Sequence, residues 1–174
     1  MFQDEARFGR SSPVKACWAP YPMRPQVLKQ TAREYVYIFG ALSPHEGKHD
    51  SLILPWADTN AMSLFLKEIS RRYPDKHILM FRDQAGWHKS KGLRIPTNIE
   101  LAFLPLYSPE LNPQEQIRDE LREKYFGNNL FKSIKEVMNT AVKGLRELEA
   151  SPATITQLTK RNWVNMISLQ LGIK

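Results

Sequence analysis

Three acidic residues stand at positions from which chemistry is readily built. Asp4 lies in a short β-prone stretch between Phe2 and Phe8. Asp83 closes an apolar run, His77-Ile78-Leu79-Met80-Phe81-Arg82. Glu115 opens a helical stretch just after the loop Tyr107-Ser108-Pro109-Glu110-Leu111-Asn112-Pro113. Taken singly, each has an ordinary explanation: an Asp at a strand edge or turn, or a Glu at a helix start that complements the helix dipole. Brought together from distant parts of the chain, three carboxylates repel one another unless a cation holds them. Mg2+ takes octahedral oxygen ligands, and a pair of such ions about 3.5–4 Å apart can activate a water or hydroxyl and stabilise a leaving 3′ oxygen. That is the chemistry of phosphodiester cleavage.

Other residues are weighed against that centre. Glu5 follows Asp4, but strand alternation sends it to the opposite face. Asp119 sits one helical turn past Glu115 and is a stand-in ligand ranked below it. His88, Lys89, Lys91 and Arg94 follow Asp83 closely and are candidates for DNA phosphate contact, as are Arg122 and Lys124. Each has a plainer reading as a solvated charge. Trp87 reads as core packing. Tyr107 and Asn112 read as shaping their loop, with Asn112 capping the following helix and Pro113 in its first turn.

The N-terminal third, which carries Asp4, reads as β. Strands are expected at residues 2–8, 14–19, 35–39 and, more briefly, 51–54. Met62, Phe65, Leu66, Ile69 and Tyr73 then fall at helical spacing, with Asp58, Thr59 and Asn60 as caps and Pro74 as the stop. Residues 77–81 form a buried-strand pattern, 87–93 a short helix and 99–104 another strand. Beyond Pro113 the chain turns helical. Residues 114–125 lead, and Ser133 with Glu136 makes a capping box for a longer helix. Its apolar face is Ile134, Val137, Met138, Ala141, Val142, Leu145 and Leu148. Ser151-Pro152 opens a further helix, and Gly172 ends the last one. The expected architecture is α/β: a three-strand meander, then strands joined through helical crossovers, in a mixed sheet flanked by helices with a C-terminal helical segment.

Bulk properties agree with one folded domain. The single cysteine, Cys17, excludes an internal disulfide and a cysteine-based metal site. No apolar run is long enough to span a bilayer and no signal peptide opens the chain, so the expectation is a soluble, cytoplasmic protein. The net charge of +7 lies mostly beyond residue 60, without a purely basic tail. This suits a folded surface that meets polyanions, nucleic acid first. A Rossmann-type nucleotide enzyme is set aside, because Phe8-Gly9-Arg10-Ser11 contains no G-x-G-x-x-G.

Four segments carry a family resemblance. Phe81-Arg82-Asp83-Gln84-Ala85-Gly86-Trp87-His88-Lys89-Ser90 resembles the second-aspartate motif of bacterial insertion-sequence transposases of the Tc/mariner-like group. Leu104-Pro105-Leu106-Tyr107-Ser108-Pro109-Glu110-Leu111-Asn112-Pro113-Gln114-Glu115 resembles the third-carboxylate motif, and its Tyr-Ser-Pro-Glu-Leu-Asn-Pro run is highly specific. Gln3-Asp4-Glu5-Ala6-Arg7-Phe8 resembles the first-aspartate strand, and Trp18-Ala19-Pro20 the tryptophan segment after it. The resemblance implies a DDE-type transposase catalytic domain with a ribonuclease H-like fold, core about 1–126 and C-terminal helices about 131–172. It implies Asp4, Asp83 and Glu115 as catalytic, metal-binding residues, with Mg2+ or Mn2+ as cofactor, two ions in all. Its partners would be double-stranded DNA, at transposon ends and target, and a second copy of the chain paired on DNA. The family's upstream helix-turn-helix region has no counterpart in this sequence. Gln84 stands where the family usually has Asn, Pro22 where Gly is common, and Arg118 where Trp is frequent; the Asp83–Glu115 spacing is slightly short. Two alternatives remain open at this point: another nuclease of the same fold, and a non-catalytic remnant that only binds DNA or a partner.

Overall fold

The computed structural model describes residues 1–11, 14–26, 31–83, 92–161 and 163. Five strands form one sheet: β1 (Phe2–Gly9), β2 (Tyr35–Ser43), β3 (Lys48–Leu54), β4 (Ile78–Arg82) and β5 (Ile99–Phe103), in the order β3-β2-β1-β4-β5. The first three form an antiparallel meander, and β4 and β5 join parallel to β1 and to each other. The meander therefore has three strands as expected, but the stretch 14–19 is not one of them. It is irregular, with Val14 and Trp18 exposed. No neighbouring strand offers it a ladder. Instead Asn128 takes both backbone groups of Lys15, accepting from its N–H at 2.9 Å and donating to its carbonyl at 3.0 Å. β-propensity without a partner strand and a buried face does not make a strand.

Side-chain alternation on β2 divides the interior in two. Val36, Ile38 and Leu42 face one side, and Phe39 and Ala41 face the other. The second face is covered by α1 (Thr59–Arg72), whose Ala61, Met62, Phe65, Leu66 and Ile69 meet Phe39, Ile78, Met80 and Ile99. Asp58 caps this helix by accepting from the Ala61 N–H at 2.7 Å. The first face is covered by α2 (Gln114–Leu121), a π-helical turn (Arg122–Phe126), α3 (Ile134–Glu149) and α4 (Pro152–Leu158).

Ser133 caps α3 as expected, accepting from the Glu136 N–H at 3.3 Å. Glu136 answers on the N–H of Lys132 at 2.7 Å, one residue upstream of the usual reciprocal bond. The apolar face of α3 is narrower than its sequence suggests. Met138 and Val142 are 41% and 36% exposed, whereas Gly144 is buried. A Cβ at Gly144 would press on Leu121 and Tyr125, so the bare backbone there sets how closely α3 approaches α2. The expected helix over 87–93 falls mainly on 84–91, and Gly172 falls in 164–174; both lie outside the described residues. Among the described residues, no helix is long and apolar enough to cross a membrane.

Candidate active site

β1 is the central strand, paired with β2 along its whole length but level with β4 only near Phe2 and Phe81. That register carries Asp83 to the height of Asp4, where β4 leaves the sheet. Beyond that point β1 pairs with β2 alone among the described strands. In α/β sheets this is the kind of place, at strand carboxyl ends, where ligand sites gather. Glu115 arrives from across the fold on the first turn of α2. Asp4, Asp83 and Glu115 line a single cleft of about 390 Å³, floored by the loop from Leu104 to Asn112.

The first turn of α2 is hydrogen-bonded to two strands and packs closely on a third. The Asn112 side chain is buried; it donates to the Gln3 carbonyl of β1 at 3.0 Å and accepts from the Gln114 N–H at 3.1 Å, while the N-cap position itself falls on Pro113, one residue later than expected. Gln114 is buried over β2 and donates to His49 Nε2 of β3 at 2.8 Å. Gly40, level with Asp4, makes room for this, since a Cβ there would collide with the Gln114 amide and His49. The amide is the end of a flexible chain and can swing aside, but the His49 hydrogen bond would go with it. Gly40→Ala is therefore expected to cost about 1–2 kcal/mol, the penalty of an unpaired buried polar group, and to loosen Glu115 with its helix turn. Denaturant titration checks the first effect, and unchanged stability would refute the tether.

The electrostatics are those of crowded acids. Burial, and after it the charge of Glu5, pushes the Asp4 carboxyl up to about 7, against the pull of nearby Arg118; Asp83 adds to the rise. One Asp4 oxygen accepts from the Glu5 N–H at 3.0 Å, and the other is buried without a hydrogen-bond partner. Glu115 is ion-paired to Arg118, whose guanidinium also lies 3.7 Å from Asp4. Among the described residues no three His, Cys, Asp or Glu side chains stand close enough to share one ion. Asp4 and Glu115 share a guanidinium in place of one.

Of the other candidates, Arg94 belongs to a separate surface cleft with Lys67 and Ile95, its N–H bonded to Ser63 at 3.1 Å. The structure thus does not bring it to the carboxylates, because residues 92–96 turn back towards α1 rather than along β1. His88, Lys89 and Lys91, with Trp87, lie outside the described residues. Asp119 does not line the carboxylate cleft; it is exposed on the wall of a neighbouring one. Tyr107 is exposed in the left-handed region (φ 57°), a loop-shaping role as expected. Sequence reasoning missed His49, Gly40 and Gln114. Gln114 had a signal in its place beside Glu115; His49 and Gly40 had none.

A mixed sheet in this order, flanked by helices and with an acid on its central strand, is the ribonuclease H-like fold. The chain matches the DDE superfamily endonuclease family over residues 1–138 and belongs to that family. It is 39% identical over 132 residues to the uncharacterised protein y4pE/y4sA of Sinorhizobium fredii (strain NBRC 101917 / NGR234), covering 75% of this chain and 98% of that protein. Its fold is similar to Mos1 transposase in a strand transfer complex (TM-score 0.61, 12% identity, 92% of this chain and 54% of that one). It is likewise similar to the Mos1 mariner paired end complex with Mn (0.59, 13%, 92% and 55%) and to the catalytic domain of Mos1 mariner transposase (0.51, 12%, 92% and 82%). At these identities the likeness establishes the fold. The chain spans about half the length of the Mos1 transposase chains in those complexes.

Proposed function

We propose that this chain is the catalytic domain of a transposase, which hydrolyses phosphodiesters at transposon ends and transfers the freed strand into target DNA. The observation that carries this reading is the convergence of Asp4, Asp83 and Glu115 on one cleft in a DDE-family chain. The donor set suits a divalent cation such as Mg2+ or Mn2+: all three are carboxylates, and one buried Asp4 oxygen lacks a hydrogen-bond donor. Asp4, Asp83 and Glu115 would hold two such ions. When bound, the ions supply Lewis-acid activation of the attacking oxygen and neutralise charge on the leaving 3′ oxygen.

The protein's own part is positional. Asp4 sits on the central strand and must give up its proton to serve as a ligand. Asn112 and Gln114 hold the turn that presents Glu115. In the first step a water oxygen bonds to phosphorus and loses its proton to solvent, the bond to the 3′ oxygen breaks, and that oxygen takes up a proton from solvent to become a hydroxyl. In the second, that 3′-hydroxyl gives up its proton and bonds to a target phosphorus, and the target's own 3′ oxygen leaves and takes up a proton. End-DNA duplexes with Mn2+ or Mg2+, read on denaturing gels, test the proposal. Strand-transfer products support it; nicking without transfer would point to another nuclease of the fold, and binding without cleavage to an inactive remnant.

Arg118 bears on this reading, because its guanidinium competes for the charges a metal would neutralise. Arg118→Gln is expected to tighten Mn2+ binding about tenfold, the scale of one close charge pair, as read by calorimetric titration. Unchanged or weaker binding would show that Arg118 instead holds Glu115 ready.

A further inference from the structure

A second cleft, larger than the one at the carboxylates, lies farther along β1. It measures about 830 Å³ and is lined by Arg7, Lys15, Tyr35, Asp119, Arg122 and Phe126, among others. Three of these six are cations and one is an acid. Arg7 stacks over the Tyr35 ring, 4.4 Å from its centroid, and Arg122 over Phe8 at 5.5 Å. Neither guanidinium has a carboxylate or carbonyl partner among the described residues. Arg122 is half-buried beside Arg118 and Arg7, and burial followed by the Arg118 charge lowers its proton affinity. Three arginines elsewhere are ion-paired: Arg71 and Arg72 with Glu68, and Arg10 with Glu34. In this cleft two guanidiniums instead lie over aromatic rings, with no ion pair among the described residues to occupy their N–H forks. A fork of that geometry matches the paired oxygens of a phosphodiester.

Arg7 is three residues beyond Asp4, about 10 Å along the strand and on the alternate face, where β1 has no described strand at its second edge. We propose that this cleft is a phosphodiester-binding site, in which Arg7 and Arg122, aided by Lys15, grip the DNA backbone a few phosphates from the one that reacts at the carboxylates. The proposal rests on the reading of those carboxylates as the cleaving centre. The aromatic neighbours orient the guanidiniums, so the grip is directional rather than a diffuse basic surface.

The test is the salt dependence of binding to a duplex of about 30 base pairs, titrated between about 50 and 200 mM NaCl. Arg7→Gln, Arg122→Gln and the double variant are compared with Lys135→Ala, which removes an exposed charge on α3 outside the cleft. Arg7 is exposed, so its variant keeps the fold even if the Arg122 variant is weakened. Each cleft substitution is expected to lower affinity severalfold and reduce the log–log salt slope by about 1, the double variant by about 2, with Lys135→Ala moving the slope less. Slopes that fall no more in the cleft variants than in Lys135→Ala would overturn the proposal. Mn2+ titration of the same proteins separates the two readings. Normal Mn2+ binding with unaltered slopes refutes the phosphate grip alone. Reduced slopes in a protein that binds no Mn2+ refute the carboxylate centre and uphold the grip.

Discussion

Asp83→Asn is expected to abolish Mn2+ binding at the cleft and to cut end-DNA cleavage by at least about 10³-fold, since metal assistance contributes several kcal/mol to such a transition state. The substitution keeps the shape of the side chain and removes only its charge. Asp83 is exposed and lies just past the end of β4, so the melting temperature should barely move. Losing a negative charge beside Asp4 should also let the Asp4 carboxyl fall from about 7 towards the ordinary range. Loss of activity with an unchanged melting temperature would place Asp83 in the chemistry. Cleavage at the wild-type rate would remove it, and the assignment of the centre would fail with it.

The second large effect is on stability. His49 is buried, and that burial pushes its imidazole down to about 4, against the weaker opposing pull of Asp50. The Nε2 atom accepts from Gln114, so protonation there would set two donors face to face. Its folded value lies below the unfolded one of 6.5. The unfolded chain therefore binds the proton first, and the stability His49 contributes is complete above pH 6.5 and lost as pH falls towards 4. The shift corresponds to about 3 kcal/mol. Asp4 runs the other way. Its folded value is raised, so its contribution is complete below the unfolded value of 3.8 and lost as pH rises through about 7. The two slopes oppose each other between pH 4 and 6.5, and the wild-type curve alone is flattened. The informative quantity is the wild type minus His49→Gln, by urea titration at pH 4, 5, 6.5 and 8. That difference should shrink by about 3 kcal/mol from pH 6.5 to 4. A constant difference would mean that His49 is solvated and not part of the tether under α2.

Where the chain's own local chemistry decides, the sequence sufficed. Asp58 before the run of Met62, Phe65, Leu66 and Ile69, Ser133 three residues before Glu136, and Asn112-Pro113 before Gln114 each specify a helix start within a few residues. The strand patterns around Tyr35 and Ile78 are equally local, and the carboxylates follow from them: one within a strand, one at a strand's end, one on a helix's first turn. Arg118 was legible as a residue out of family, but not as the partner of Asp4 and Glu115.

Contacts between distant segments decided the rest. Residues 14–19 have the composition of a strand and no neighbour to pair with, so Asn128 holds them as a loop. Met138 and Val142 have the spacing of a core face, but the surface that α3 meets is too narrow to cover them. Gly40, His49 and Gln114 come from β2, β3 and α2, and nothing in the order of the residues indicates that they meet. Helix caps and strand alternation depend on neighbours within about four residues. A sheet register, a shared guanidinium or a basic cleft depends on which segments the whole fold places side by side, and that is set only when both faces of the sheet are covered.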